Sequence, residues 1–362
     1  MTVATPWVGV PEGSAFSAQA LPYVVFSDAD DVPRIGVRIG DEILDLAATA
    51  GALGLDGGHI FEADSLGPLM AAGPSAWGAV RSWVSELLTH PANEELVAPH
   101  LGPVGEVELH PPFPVADVTR MPDHDRRSPV PSPGVHARAG SVLLGGSVIR
   151  PCGPLALQSD RPLQPRFGPT ELLDVDAGIG FVVGTPTAHG DRLGADDFAR
   201  TVFGVVLMAR WSTRDLLADV DSFALSMSPW VLPLAALDHA RLSAHRPRVE
   251  GLPYLTDEPG WRLDAVVDAF VNDTRVARVS MAGEPWTPAQ MLAQLTVTGT
   301  PVRTGDVLLI CPTEGAVPSV LADGDRVVLR GWAPGQGGTA LGLGELAVTV
   351  SPARVDEPTA PA

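Results

Sequence analysis

Cysteine is scarce in this chain: among 362 residues only Cys152 and Cys311 are cysteines. Two are too few for a disulfide framework, and their spacing does not read as a metal site. Positive charge is also short. Lysine is missing, and 24 basic side chains against 43 acidic ones leave a net charge of −19 at pH 7. A nucleic-acid binder needs a basic footprint, so that class of partner is excluded. No apolar run approaches the roughly 18 residues that a membrane span requires. The opening MTVATPWVGVPEGSAF has neither the basic nor the apolar region of a signal peptide. Together these predict a cytoplasmic chain with no membrane partner. Internal repeats are absent, and the glycine-rich PGQGGTALGLG follows a strand into no helix, which excludes a nucleotide phosphate loop.

What the chain has in quantity is glycine (38), proline (36) and apolar side chains (45%), with a mean hydropathy of +0.16. That mixture predicts a well-packed globule of many short strands and turns, long enough for two domains. The bias toward Ala, Gly, Pro and Arg fits a high-GC genome.

The stretch from Phe203 to Pro233 organises the rest. Val205 to Met208 form an unbroken apolar run, read as a strand buried on both faces. Arg210, Trp211, Ser212, Thr213, Arg214 and Asp215 follow with no loop signal. Charge at the mouth of a buried strand is costly unless it faces a cleft or a partner, so this is read as the wall of a small-molecule site.

Upstream, LPYVVFS and PRIGVRIGDEILDLA read as strands, the second a hairpin turning at Gly40-Asp41 with one wet face. SAWGAVRSWVSELLTH reads as a helix starting on a Ser75 cap, with Trp77, Val80, Trp83, Val84 and Leu87 at helical spacing for core or interdomain packing. Prolines at 111, 112 and 114 end a first domain, placed at residues 1–112. Residues 113–354 read as a strand-rich second domain, and 355–362 as a frayed tail. Its helices are ADDFARTV, with Asp196 as cap, and TPAQMLAQLT, with Pro288 in the first turn.

PEGSAFSAQALPYVVFS, PRIGVRIGDEILDL, HARAGSVLLGGSVIRP, ELLDVDAGIGFVVG, FGVVLMARWSTRD, SMSPWVLP, LPYL and DGDRVVLRG together resemble the fumarylacetoacetase branch of the fumarylacetoacetate hydrolase superfamily, in the same order over nearly the whole chain. The resemblance implies a mainly β (α+β) fold: an N-terminal SH3-like barrel and a C-terminal β-sandwich roll, in a homodimer. It implies cleavage of C–C bonds in β-dicarbonyl acids. A carboxylate-held Mg²⁺ or Ca²⁺ would chelate the substrate and stabilise the enolate leaving group, and a His would activate water.

The chemistry-bearing positions depart from that pattern. Where the family has two Glu one residue apart, this chain has Asp176 and Gly178. The Asp before the Trp-Ser pair is Arg210, and a Lys position is Asp221. In the ungapped register the metal Asp and the catalytic His fall on Arg120 and Arg127. The Glu that orients the His is Arg326, and the substrate-binding Gly-Thr pair is Cys311-Pro312. His136, Arg138, Arg214 and Asp215 match family positions that support the site. In a register shifted by three, Asp117 and His124 stand seven apart, as the family's Asp and His do.

A guanidinium stays protonated and cannot ligate a metal, but it grips carboxylates and enolates bidentately. The expectation is therefore a metal-free, cofactor-free site for a small anionic molecule. Arg120, Arg210, Arg214, Arg326, Asp221 and Cys311 would contact substrate, while Asp176, His136 and His124 would be the catalytic candidates. Two alternatives stay open: orthodox Mg²⁺/Ca²⁺-dependent hydrolysis of a fumarylacetoacetate or acylpyruvate type, and a non-catalytic scaffold.

Overall fold

The computed structural model describes residues 5–29, 31–121, 128, 130–155, 166–217, 222–244, 252–312 and 320–354. Twelve of its strands and two of its helices frame the site and the core around it. The strands are β1 (Tyr23–Ser27), β2 (Arg34–Ile39), β3 (Glu42–Asp45), β4 (Asp117–Met121), β5 (Val135–Ala137), β6 (Leu173–Val183), β7 (Val202–Thr213), β8 (Ala224–Pro233), β9 (Val266–Val271), β10 (Asp306–Ile310), β11 (Arg326–Pro334) and β12 (Ala340–Ser351). The helices are α1 (Pro74–Thr89) and α2 (Pro288–Thr296). Strand dominates, as the composition predicts, and no helix among the described residues is long and apolar enough to cross a membrane.

β6, β7 and β8 form the antiparallel centre of a twelve-stranded sheet. β10 lies antiparallel beside β6, then β4 parallel to β10, with β5 at that edge. On the other side Tyr23 of β1 pairs with Val231 of β8, so the N-terminal strands β1, β2 and β3 continue the same sheet. Val205, Val206, Leu207 and Met208 are all fully buried, as a run buried on both faces requires. Side chains alternate across the sheet. Val175, Ala177, Ile179 and Phe181 pack toward a second, five-stranded sheet containing β9, β11 and β12. Val182, Val206, Met208 and Leu309 pack the opposite way, against the N-terminal strands and α1.

Local chemistry sets the elements. Ile39 and Glu42 pair across a two-residue turn in which Gly40 takes φ +56°, a conformation that favours glycine. The hairpin's polar face is not wet, however. The Arg38 guanidinium lies 3.7 Å from the Phe16 ring centroid and 4.8 Å from that of Trp230, so an N-terminal segment covers it. Helix α1 begins two residues earlier than the serine suggests: Gly73 is the cap and Pro74 occupies the first turn. Trp77 packs edge-on against Phe203 at 5.4 Å and donates to the carbonyls of Leu69 and Met70, both at 3.0 Å. Asp196 does not cap the 195–201 segment either: Gly194 is the cap, and Asp197 in the first turn accepts the Gly194 amide at 2.9 Å. Thr287 and Gln290 form a reciprocal capping box on α2.

Candidate active site

The charged residues that follow the buried run of β7 meet partners from β6. Asp176 stands opposite Arg210 in the ladder, and the two form a direct ion pair. Two residues toward the strand end on the same face, Asp174 stands opposite Ser212 and pairs with Arg214, whose Nη2 donates to Oδ1 at 2.9 Å. The result is a quartet of two aspartates and two arginines on one face, at one end of the central sheet. Arg214 is the wettest of them, 60% exposed against 17% for Arg210 and 20% for Asp176, so solutes reach it first. Its guanidinium is held still more firmly protonated by the hydrogen bond and charge of Asp174, helped by Asp176.

The same end of the sheet holds Gly178 and Cys311. Strand pairing of Ile179 with Ile310 brings the exit of β10 beside the carboxylate end of β6. Cys311 is buried there. Arg120 lies on the same sheet face, opposite Leu309, about four residues farther from the mouth than Asp176, or roughly 13 Å along the strands. The Asp215 carboxylate, buried just beyond β7, accepts the Thr170 hydroxyl, the Glu171 amide at 2.7 Å and the Leu172 amide at 3.3 Å. It ties the entrance of β6 to the exit of β7 and so fixes the quartet's frame.

Other expected site residues are not brought to this group. His136, opposite Thr119, points to the other face of the sheet, level with Phe181 and roughly 16 Å along the strands from Asp176. Its Nδ1 sits 2.8 Å from Asp117 Oδ2. Alternation of the pleat therefore keeps His136, a catalytic candidate in its own right, apart from Asp176. The Nδ1 contact also assigns Asp117 a structural partner at the far end of β4. Arg326 opens β11 on the second sheet, half exposed, with its ion pair to Asp273 at 3.9 Å. His124, Arg127 and Asp221 lie outside the described residues. The residue that sequence reasoning missed is Asp174. Its signal was available, since Asp174 and Asp176 alternate onto one face of β6 as Arg210 does on β7.

The Asp117–His136 end carries a testable electrostatic feature of its own. Burial pushes the Asp306 carboxyl above the usual carboxylate range, against the Arg303 amide and guanidinium that pull it down, and Asp117 adds to the rise. A raised folded-state value means stability that is present at acid pH and lost as pH climbs through that value. Asp306→Asn should therefore raise the melting temperature at pH 7, and the gain should vanish below the usual carboxylate range. Melting curves from pH 3 to 8 read this directly; an equal shift at every pH would contradict it.

The donor set also decides whether a hard divalent cation fits. Such an ion wants several carboxylate oxygens. Asp176 is engaged by Arg210, position 178 has no side chain, and Arg120 and Arg210 are permanent cations. Among the described residues no group of three His, Cys, Asp or Glu side chains is placed to hold a metal. The described site does not fit Mg²⁺ or Ca²⁺.

Sheet architecture and site position together define a β-rich two-sheet fold with a charged quartet at one end of the central strands. Residues 19–112 match the fumarylacetoacetase N-terminal domain, and residues 116–351 match the fumarylacetoacetate hydrolase C-terminal domain. The chain belongs to the fumarylacetoacetate hydrolase family. It is 30% identical to a fumarylacetoacetase of Caenorhabditis elegans over 428 aligned positions, covering 96% of this chain and 99% of that one. Identity to the Mus musculus fumarylacetoacetase is 27% over 419 positions, with the same coverage. Both alignments are longer than this chain, so the relatives carry insertions that it lacks. In fold it is similar to a maleylpyruvate hydrolase from Sphingobium, with a TM-score of 0.54 and 16% identity, covering 92% of this chain and all of that one.

Proposed function

We propose that this protein is a metal-independent enzyme of a small carboxylate or β-dicarbonyl acid, acting as a homodimer in the cytoplasm. The observation that carries the reading is the Asp176–Arg210 pair, which stands where the family resemblance implies a metal. An enolate or carboxylate needs positive charge, and fixed guanidiniums supply it bidentately without an ion. In this reading Arg214 meets the anion at the mouth. Arg210 stabilises charge that develops deeper in the site, with Arg120 on the same face. Asp176, oriented by Arg210, takes up or returns a proton beside the reacting carbon. Such a set serves cyclisation, rearrangement, condensation or C–C or C–N cleavage that proceeds through an enol or enolate.

A panel of acylpyruvates and β-diketo acids, screened by turnover and by thermal shift, tests it with and without EDTA. The expected result is ligand stabilisation or turnover that EDTA leaves unchanged. Activity abolished by EDTA and restored by Mg²⁺ would overturn the metal-free reading. It would favour instead the orthodox hydrolase, the alternative supported by 27–30% identity to fumarylacetoacetases over 96% of the chain. No response to any acid on the panel, with a stable protein, would favour the scaffold alternative.

A further inference from the structure

Position 178 is bare for a reason that the ladder geometry makes visible. Gly178 lies two residues from Asp176 on the same face of β6, beside the exit of β10. A Cβ at 178 would stand 2.5 Å from Cys311 Sγ, 2.7 Å from the Ile310 carbonyl oxygen and 3.0 Å from Leu309 Cδ1. All three are closer than ordinary van der Waals contact, and the nearest is the thiol. Gly178 has no positive φ, so backbone conformation does not require glycine there. Packing alone does.

We infer that Gly178 and Cys311 are a coupled pair: the Cys311 thiol, together with the Ile310 carbonyl, occupies the space that any side chain at 178 would need, and so keeps a second carboxylate from standing beside Asp176. Cys311 is then a specificity-determining residue. It places a buried sulfur beside Gly178, and it holds the site to one carboxylate at positions 176 and 178 of β6. Replacing Gly178 by an acidic residue alone cannot rebuild a paired-carboxylate site while the thiol is in place. The inference extends the metal-independent reading, but its test is a packing measurement that does not depend on that reading.

The test compares four full-length proteins: the native chain, Gly178→Ala, Cys311→Gly, and the double variant. Alanine adds only the Cβ, so it probes the contact without introducing charge. In the native background, overpacking should lower the melting temperature by roughly 1–4 °C. In the Cys311→Gly background the same substitution should cost measurably less, because its nearest obstacle is gone and the Ile310 carbonyl at 2.7 Å remains. If Gly178→Ala is insoluble and the double variant is soluble, the coupling is equally supported. Equal penalties in both backgrounds would overturn it, and so would failure of both alanine variants to fold. Either outcome would mean that the Ile310 carbonyl, not the thiol, sets the limit.

Discussion

Replacing Arg210 with alanine should destabilise the protein by about 3 kcal/mol and remove its response to anionic ligands. The first effect follows from what the substitution leaves behind. Asp176 is mostly buried, and Arg210 is its ion-pair partner across the ladder. Removing one member of a buried pair costs roughly 3–5 kcal/mol because the other charge stays desolvated and unpaired. Both side chains retain some exposure, which places the expectation at the lower end. For a chain of this size that is a fall in melting temperature of very roughly 4 °C. The double variant Arg210→Ala/Asp176→Ala should be more stable than Arg210→Ala alone, since it removes the stranded carboxylate as well.

The functional half of this prediction separates a structural pair from a working one. If Arg210 only holds the strand ends together, the double variant recovers stability and ligand response together. If Arg210 contributes the charge that meets an enolate, the double variant regains stability and still fails to bind. Urea denaturation of the three proteins, followed by thermal shift with acylpyruvates, gives both readings. Single and double variants of equal stability would show that Asp176 is indifferent to its partner, which would end the argument from the pair.

The parts of this molecule that can be read in its sequence are those governed by local periodicity. The β7 run of Val205 to Met208 has no polar interruption, and it is buried on both faces as a central strand must be. The Gly40-Asp41 turn is equally legible, because a two-residue hairpin needs that chemistry. Helix boundaries are less so. Ser75 is a good cap by composition, but Gly73 followed by Pro74 starts α1 sooner. What local pattern cannot convey is how distant strands meet. Nothing in LPYVVFS indicates that Tyr23 pairs with Val231, or that the N-terminal strands extend the main sheet. The same limit governs the site. Asp176 and Arg210 could be matched to positions of a known family, and they do face each other. His136 could be matched just as well. Its level on the sheet and the face it points to depend on the pairing of β4 with β5 and with β10, which residue identity does not encode.

Asp215→Ala should be the most damaging of the single substitutions near the site, although Asp215 belongs to no expected contact with substrate. Its carboxylate is 8% exposed and accepts from the Thr170 hydroxyl and from the amides of Glu171 and Leu172. Alanine would take the acceptor from the buried Thr170 hydroxyl and from the Glu171 amide, while the Leu172 amide keeps Thr170 Oγ1 at 3.2 Å. Hydrogen bonds to a charged group contribute about 1.5–3 kcal/mol each, and they are not additive, so a loss of about 4 kcal/mol is expected. Asp215→Asn keeps the shape and part of the acceptance, and should lose less than half of that. The damage should also reach the quartet. Leu172 immediately precedes β6, Asp174 stands opposite Ser212, and the Arg214 amide donates to the Leu172 carbonyl at 3.2 Å. Loosening that corner frees Arg214 from its register with Asp174 before the rest of the sheet responds. Hydrogen exchange should therefore show lost protection at residues 170–176 and 210–214 first, while the pairing of β6 with β10 stays protected. A uniform loss of protection across the sheet would mean that Asp215 supports the whole fold and has no particular hold on the frame of the site.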